Sequence, residues 1–335
     1  MYLSSLRKLI AAAALLGASL TGGIAAAAAA PSFTDLVIFG DSLSDTGNLS
    51  IASGGFYPKA GTTQPYFGGR FSDGPLWTEY LAIGLGQAGD AAPSLIGGNN
   101  YAWAGARTGA GGSPPGLLDQ TSLWAATKPA DASALYVLVG GGNDMRDART
   151  DAPGTSTLEV NYRKLSAQSA VANLKGSLGI LAAHGAKHVL VSNLPNLANT
   201  PEAVFLGVTA ASADASLQFN LLMPSLLSYG ASVGLDISFL DLAGITAAVR
   251  ANPAAYGITD IDHPCAGFFG TTGVSCSTSA FSDNLHPSGR AHQLIAGAAF
   301  AALGVTPVPE PESLVLMLAG LAMLGMLSRR RGRAA

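Results

Sequence analysis

Residues 36–39 (Leu-Val-Ile-Phe) make a short apolar run with no polar interruption, the pattern of a strand buried on both faces, and the run stops at Gly40-Asp41-Ser42. Three similar runs follow, at 135–139, 188–191 and 235–240. Between them apolar positions recur with helical spacing. The stretch 157–184 carries Leu158, Leu165, Val171, Leu174, Leu178 and Leu181, and Gly185 stands where a left-handed residue ends a helix. Two further helices are predicted over 212–229 and 288–303. Alternation of this kind predicts an α/β chain: a mostly parallel sheet covered by helices on both faces. Ligands of such sheets bind at the carboxyl ends of the strands, so any chemistry is sought there.

Composition narrows the classes. The chain has 335 residues, 48% of them hydrophobic and 12% charged, which suffices for a large buried core and excludes a disordered chain. Its 18 Lys and Arg are unevenly placed, with six at the two ends. Residues 31–305 hold 12 basic against 19 acidic groups, a net of −7, which gives no electrostatic reason to bind nucleic acid.

The ends read as addresses. Residues 1–30 have the order of a secretory signal peptide: Arg7 and Lys8, then an apolar stretch from Leu9 to Leu20, then an alanine-rich cleavage zone. At the other end, a proline-broken linker (306–313) precedes an apolar run at 314–327 and a basic cluster from Arg329 to Arg333. Fourteen apolar residues fall short of the ~20 a spanning helix needs. The order Val308-Pro309-Glu310-Pro311, short hydrophobic helix, arginines resembles a PEP-CTERM sorting signal. That resemblance implies export, a transient hold at the inner membrane, and a sorting protease and export machinery as partners. A plain C-terminal anchor is the alternative, and both place the body (31–305) outside the cytoplasm, in periplasm, envelope or medium. The two cysteines, Cys265 and Cys276, are then best read as a disulfide closing a short loop.

The strand ends carry the chemistry. Gly40-Asp41-Ser42 follows the first strand and Gly140-Gly141-Gly142-Asn143-Asp144 the second, with Asn100-Tyr101-Ala102 and Gly105 between them and Asp283-Asn284-Leu285-His286-Pro287 near the end of the body. A serine on a strand-to-helix turn presents its hydroxyl, yet stays a weak nucleophile until a histidine takes its proton and a carboxylate fixes the histidine tautomer. The Gly-x-Ser-x-Gly elbow of α/β-hydrolases is absent from the sequence. With Phe39–Asn48 and the stretch from Gly69 to Trp77, these blocks resemble, in order, those of GDSL esterases/lipases in the SGNH hydrolase superfamily, in the bacterial lipase–lecithinase–haemolysin-like branch.

The resemblance spans about residues 35–303. It implies a three-layer α/β/α sandwich of flavodoxin-like order that hydrolyses carboxylic esters, such as lipids or small acyl esters, without a metal or cofactor. Ser42 would be the nucleophile, His286 the base and Asp283 its orienter. The oxyanion hole would combine the Ser42 and Gly105 amides with the Asn143 side chain. Acyl transfer to an alcohol, or O-deacetylation of a polysaccharide, would use the same groups; a non-enzymatic envelope or matrix protein would have no use for them. Two departures from the family pattern, Ala104 and Ser282, are expected to reshape the acyl side, as are the stretches 54–69 and 108–128. Asp260-Ile261-Asp262-His263 repeats the Asp-x-x-His spacing, but a glycine-rich loop follows it rather than a helix. His286 is therefore preferred over His263. Asp45 reads as a cap, His184 and His188 as surface or capping residues, His292 as structural, and Trp77, Trp103 and Trp124 as core.

Overall fold

A computed structural model describes residues 32–59, 66–267 and 273–307. The signal-peptide region, the apolar run at 314–327 and the arginine cluster lie outside the described residues.

Four five-residue strands, β1 (Leu36–Gly40), β2 (Leu135–Val139), β3 (His188–Ser192) and β4 (Asp236–Leu240), form a parallel sheet in that spatial order. They pair from Leu36 opposite Leu135 through His188 opposite Asp236, so all four strand ends share one edge. Beyond β1, the extended segment at Asn100 adds a parallel bridge: the Ile38 amide donates to the Asn99 carbonyl (3.0 Å) and the Tyr101 amide to the Ile38 carbonyl (2.7 Å). In chain order the edge-to-edge sequence is 2-1-3-4-5, the flavodoxin-like arrangement. The strands stay parallel, but the order in which the chain adds them switches sides between β1 and β2, where such sheets open their crevice.

Successive strand residues point to opposite faces, and each face has its own core. On one, Val37, Phe39, Tyr136, Leu138, Val189 and Val191 pack against α3 (Leu117–Thr127), α4 (Gly142–Asp151), α5 (Thr157–His184), α7 (Thr209–Asn220) and α8 (Met223–Ser232). On the other, Leu36, Ile38, Leu135, Val137 and Leu190 pack against α2 (Trp77–Gly84), α10 (Gly289–Leu303) and the start of α9 (Leu242–Ala251). The short helices α1 (Asn48–Ala52) and α6 (Pro201–Phe205) cap loops at the carboxyl edge. Helix α5 ends as its sequence predicts: Gly185 has φ 107°, and its amide and that of Ala186 reach back to Ala182 and Leu181.

The predicted single helix over 212–229 is instead two, α7 and α8, with the break at Leu221-Leu222. Pro224 explains it. A proline has no amide to donate and its ring collides with the carbonyl four residues back, so it is accommodated in the first turn of a new helix. Helix α3 occupies much of the stretch 108–128.

Candidate active site

Ser42 lies on the tight turn that leaves β1, where the amides of Ser44 and Asp45 both donate to the Asp41 carbonyl (3.0 and 2.9 Å). Asp45 fixes this turn more thoroughly than a cap would. Its buried carboxylate accepts the amides of Gly47 (2.8 Å), Asn48 (2.6 Å) and Leu49 (3.1 Å) at the start of α1, and that of Ala104 (2.8 Å) from the second block. Burial pushes the Asp45 carboxyl up, while these four donors hold it down. Asn100 completes the join: its side chain donates to the Ser44 carbonyl (2.7 Å) and to the Thr46 hydroxyl (3.0 Å), and accepts the Ala102 amide (2.9 Å). Asn48 donates to the carbonyls of Asn100 and Ala102 (2.8 and 2.9 Å).

Asp283 and His286 face Ser42 from the loop before α10. The Asp283 Oδ1 accepts the amides of Leu285 (2.8 Å) and His286 (2.7 Å), folding the loop so that His286 Nδ1 lies 2.7 Å from Asp283 Oδ2. His286 Nε2 lies 2.9 Å from Ser42 Oγ. With its proton on Nδ1, the imidazole donates to Asp283 and accepts from the Ser42 hydroxyl. Burial alone would raise the Asp283 carboxyl; the facing imidazole and the bonds it receives bring it down to about 2. Asp41, beside the serine, is pushed up to about 6 by burial, which outweighs the Leu43 amide it accepts (3.0 Å) and the nearby imidazole.

Gly105 and Asn143 arrive from the two sides of the β1–β2 crevice. Gly105 has φ 83°, a region open to glycine and costly for other residues, so the chain turns there without strain. Among the described residues, neither the Gly105 amide nor the Ser42 amide donates to a protein acceptor. Asn143, in the first turn of α4, spends one N–H on the Ala106 carbonyl (2.9 Å), which orients the carboxamide and leaves its second N–H. Asp144 accepts the Thr108 amide (3.0 Å) and hydroxyl (2.8 Å), pinning the Gly105 loop to α4. Gly141 makes this helix start possible: φ is 106°, and a Cβ would meet the Phe219 ring at 2.5 Å.

The second Asp-x-x-His motif folds its loop in the same way, with Asp260 accepting from His263 Nδ1 at 3.1 Å. His263 is exposed, however, and makes no contact with Ser42. The spacing is a local device; what faces it differs. His292 is fully buried, accepts the Trp77 amide (3.2 Å) and is pushed down to about 3 by burial. Trp77 and Trp124 are core, and Trp103 packs partly against it. His184 caps toward the Lys128 carbonyl (2.8 Å) and His188 pairs with Asp236 (3.0 Å).

Sequence patterning missed Tyr66. Its hydroxyl donates to Asp283 Oδ2 (2.6 Å), its ring lies edge-on to Phe71, and Phe71 tilts over His286 with centroids 4.9 Å apart. The two aromatics screen the Asp–His couple. Tyr66 is 217 residues from Asp283, and nothing in local spacing marks it.

An apolar groove opens beside Ser42 and His286. Its walls are the residues after β3 (Leu194, Leu197), one face of α9, the loops at 258–261 and 280–287, and α10. Residues 60–65 lie outside the described residues; among those described, the stretches 54–69 and 108–128, expected to shape this side, contribute no wall to it. Nor do Ala104 and Ser282. Ala104 is held by Asp45, and buried Ser282 stitches the loop to Asp73 (2.6 Å) and to the Pro287 carbonyl (3.1 Å). The Cys265–Cys276 disulfide is present, and the Cys265 and Ala266 amides donate to the carbonyls of Phe281 and Ser282 (both 2.9 Å), bracing the same loop from behind.

Residues 36–299 match the GDSL-like lipase/acylhydrolase family, and residues 307–331 the PEP-CTERM protein-sorting motif. Among curated proteins, the chain is 28% identical over 257 residues to a phosphatidylcholine-sterol acyltransferase of Aeromonas hydrophila, covering 73% of this chain and 69% of that one. It is 26% identical to the thermolabile hemolysin of Vibrio parahaemolyticus, covering 78% and 62%. It is 29% identical to the esterase EstA of Pseudomonas aeruginosa, covering 84% of this chain and 49%, about half, of EstA. Among solved structures, a carbohydrate acetylesterase of Sinorhizobium meliloti aligns with a TM-score of 0.44 at 16% identity, covering 80% of this chain and 96% of that one.

Proposed function

Because the chain belongs to the GDSL-like lipase/acylhydrolase family, a family of ester-bond hydrolases, we propose that it hydrolyses carboxylic esters through an acyl intermediate on Ser42. The observation that carries this reading is the unbroken line of hydrogen bonds from Ser42 Oγ through His286 to Asp283. In the first half-reaction His286 takes the hydroxyl proton as Ser42 Oγ bonds to the ester carbonyl carbon. The carbonyl oxygen becomes an oxyanion facing the amides of Ser42 and Gly105 and the free N–H of Asn143. Collapse breaks the bond to the alcohol oxygen, which leaves with the proton from His286. Water then enters and gives a proton to His286 as its oxygen bonds to the acyl carbon. The bond from that carbon to Ser42 Oγ breaks as His286 returns the proton to Oγ, releasing the acid and the free serine. Asp283 stays ionised throughout, as its depressed pKa supports, and holds the imidazole in the productive tautomer.

The test is turnover of a chromogenic acyl ester. Ser42→Ala and His286→Ala should each lower kcat by at least about 10⁴, while His263→Ala should leave it intact. Retained turnover in Ser42→Ala, or loss confined to His263→Ala, would reject the mechanism. The similarity to the Aeromonas acyltransferase supports a second outcome for the same intermediate, in which an alcohol replaces water. Product analysis with added acceptor alcohol separates the two.

The sorting motif directs the chain to the cell envelope. In our reading residues 1–30 are removed on export, 31–305 form the hydrolase, and the linker 306–313 leads to the tail 314–335. The tail holds the protein at the inner membrane until the sorting protease cuts it.

A further inference from the structure

We infer that the groove between α9 and α10 is the acyl site, and that it selects esters of medium-length aliphatic acids, about six carbons long, over acetyl esters. The inference rests on the esterase reading above and adds the class of acid. Ser42 and His286 form one end of the groove. Along the helices the lining is mainly apolar, with Leu242, Ile245 and Val249 from α9, Ile258, Phe281, and Leu294 from α10, while Arg146 and Thr200 also line it and Thr246 lies among the α9 residues. The α9 residues stand at i, i+3 and i+7, so one stripe of the helix lines the groove, with its Leu242 and Ile245 end also joined to the core and its Val249 end open.

The groove is finite. Its volume is about 160 Å³. An apolar cavity of about 150 Å³ admits benzene, a six-carbon body. Arg250, about 12 Å along α9 from Leu242, brings in a charged group tied to the Asp262 carboxylate (2.7 Å) and the Ile261 carbonyl (3.3 Å). A chain that reaches this pair meets polar surface and gains nothing by further length. The acyl half fits the groove better than the alcohol half for a kinetic reason. The alcohol must leave and water must replace it between the two half-reactions, whereas the acyl group stays bound through both. A site walled by two helices suits the half that stays.

The experiment uses the full chain and p-nitrophenyl esters from acetate to hexadecanoate. Each methylene buried is worth about 0.8 kcal/mol, so kcat/KM should rise about fourfold per added carbon from acetyl to hexanoyl. It should level near octanoyl and gain nothing at hexadecanoyl. Val249→Trp and Leu294→Trp, at two partly exposed wall positions on different helices, should each lower the hexanoyl-to-acetyl ratio at least tenfold. An acetyl optimum, a rise continuing to hexadecanoyl, or an unchanged ratio in both variants overturns the assignment. So does a flat acyl series together with a rise along acetates of lengthening alcohols, which would put the alcohol in the groove. A fluorophosphonate probe separates this failure from the larger one. Protein labelled at Ser42 but favouring acetyl loses only the groove assignment; protein neither labelled nor active on any ester loses the esterase reading too.

Discussion

At the scale of single residues, the side chains fall into those that face a substrate and those that hold them in place. Asn143 faces it: Asn143→Ala should lower kcat by about 10²–10³ with little change in KM, the loss of one oxyanion donor. An unchanged kcat would remove Asn143 from the hole. Tyr66 acts through Asp283, so Tyr66→Phe should reduce kcat modestly, leave KM alone, and cost about 1 kcal/mol of stability in chemical unfolding. A rise in KM instead would mean that Tyr66 touches substrate. Asp41 supplies a pH signature. In the unfolded chain its carboxyl ionises near 3.8, whereas burial in the fold raises it to about 6. The stability it lends is full below pH 3.8 and fades as pH climbs through 6. By pH 7 that loss is about 3 kcal/mol for a shift from 3.8 to about 6, and Asp41→Asn should be spared it. Melting curves of both proteins from pH 4 to 8 check this: the gap between them should open with rising pH. Ser42, Asp283 and His286 were legible because each lies in a short motif, Ser42 where β1 ends and the other two in the loop before α10. Tyr66 was not, because its partner is set by tertiary structure alone.

At the scale of elements, β1 and β2 read well since an unbroken buried apolar run of about five residues has few other uses in an α/β chain, whereas β4 at the sheet edge alternates through Asp236 and Ser238. Helix α5 read well for the opposite reason, being long, periodic and closed by Gly185. The α7–α8 break shows the limit: periodicity continues across 212–229, and only the rule that proline starts helices rather than continuing them reveals the join at Pro224. The groove was not foreseen: the acyl side was expected from 54–69 and 108–128, and although Leu242, Ile245 and Val249 show amphipathic spacing, spacing does not say whether a stripe faces core or cavity. The disulfide belongs to this scale too. It closes a loop with a sequence separation of 11 behind the Asp283–His286 turn, so Cys265→Ser/Cys276→Ser should lower stability by about 2–3 kcal/mol. Loss of activity should follow as the turn loosens. A double variant as stable and active as the parent would make the bridge incidental.

At the scale of the whole molecule, four parallel strands bring to one edge residues that lie as far apart as 42 and 286 in the chain. The net negative charge of residues 31–305 gives no electrostatic reason to bind nucleic acid, and the family match accounts for residues 36–299. Everything functional converges on whether the hydroxyl at 42 is activated by the imidazole at 286. Mass mapping of the folded, oxidised protein after fluorophosphonate treatment asks that directly. The geometry predicts one adduct, on the peptide bearing Ser42, lost in Ser42→Ala and slowed at least 10³-fold in His286→Ala but not in His263→Ala. An adduct on another residue, no adduct at all, or labelling of Ser42 at an undiminished rate without His286 would contradict it.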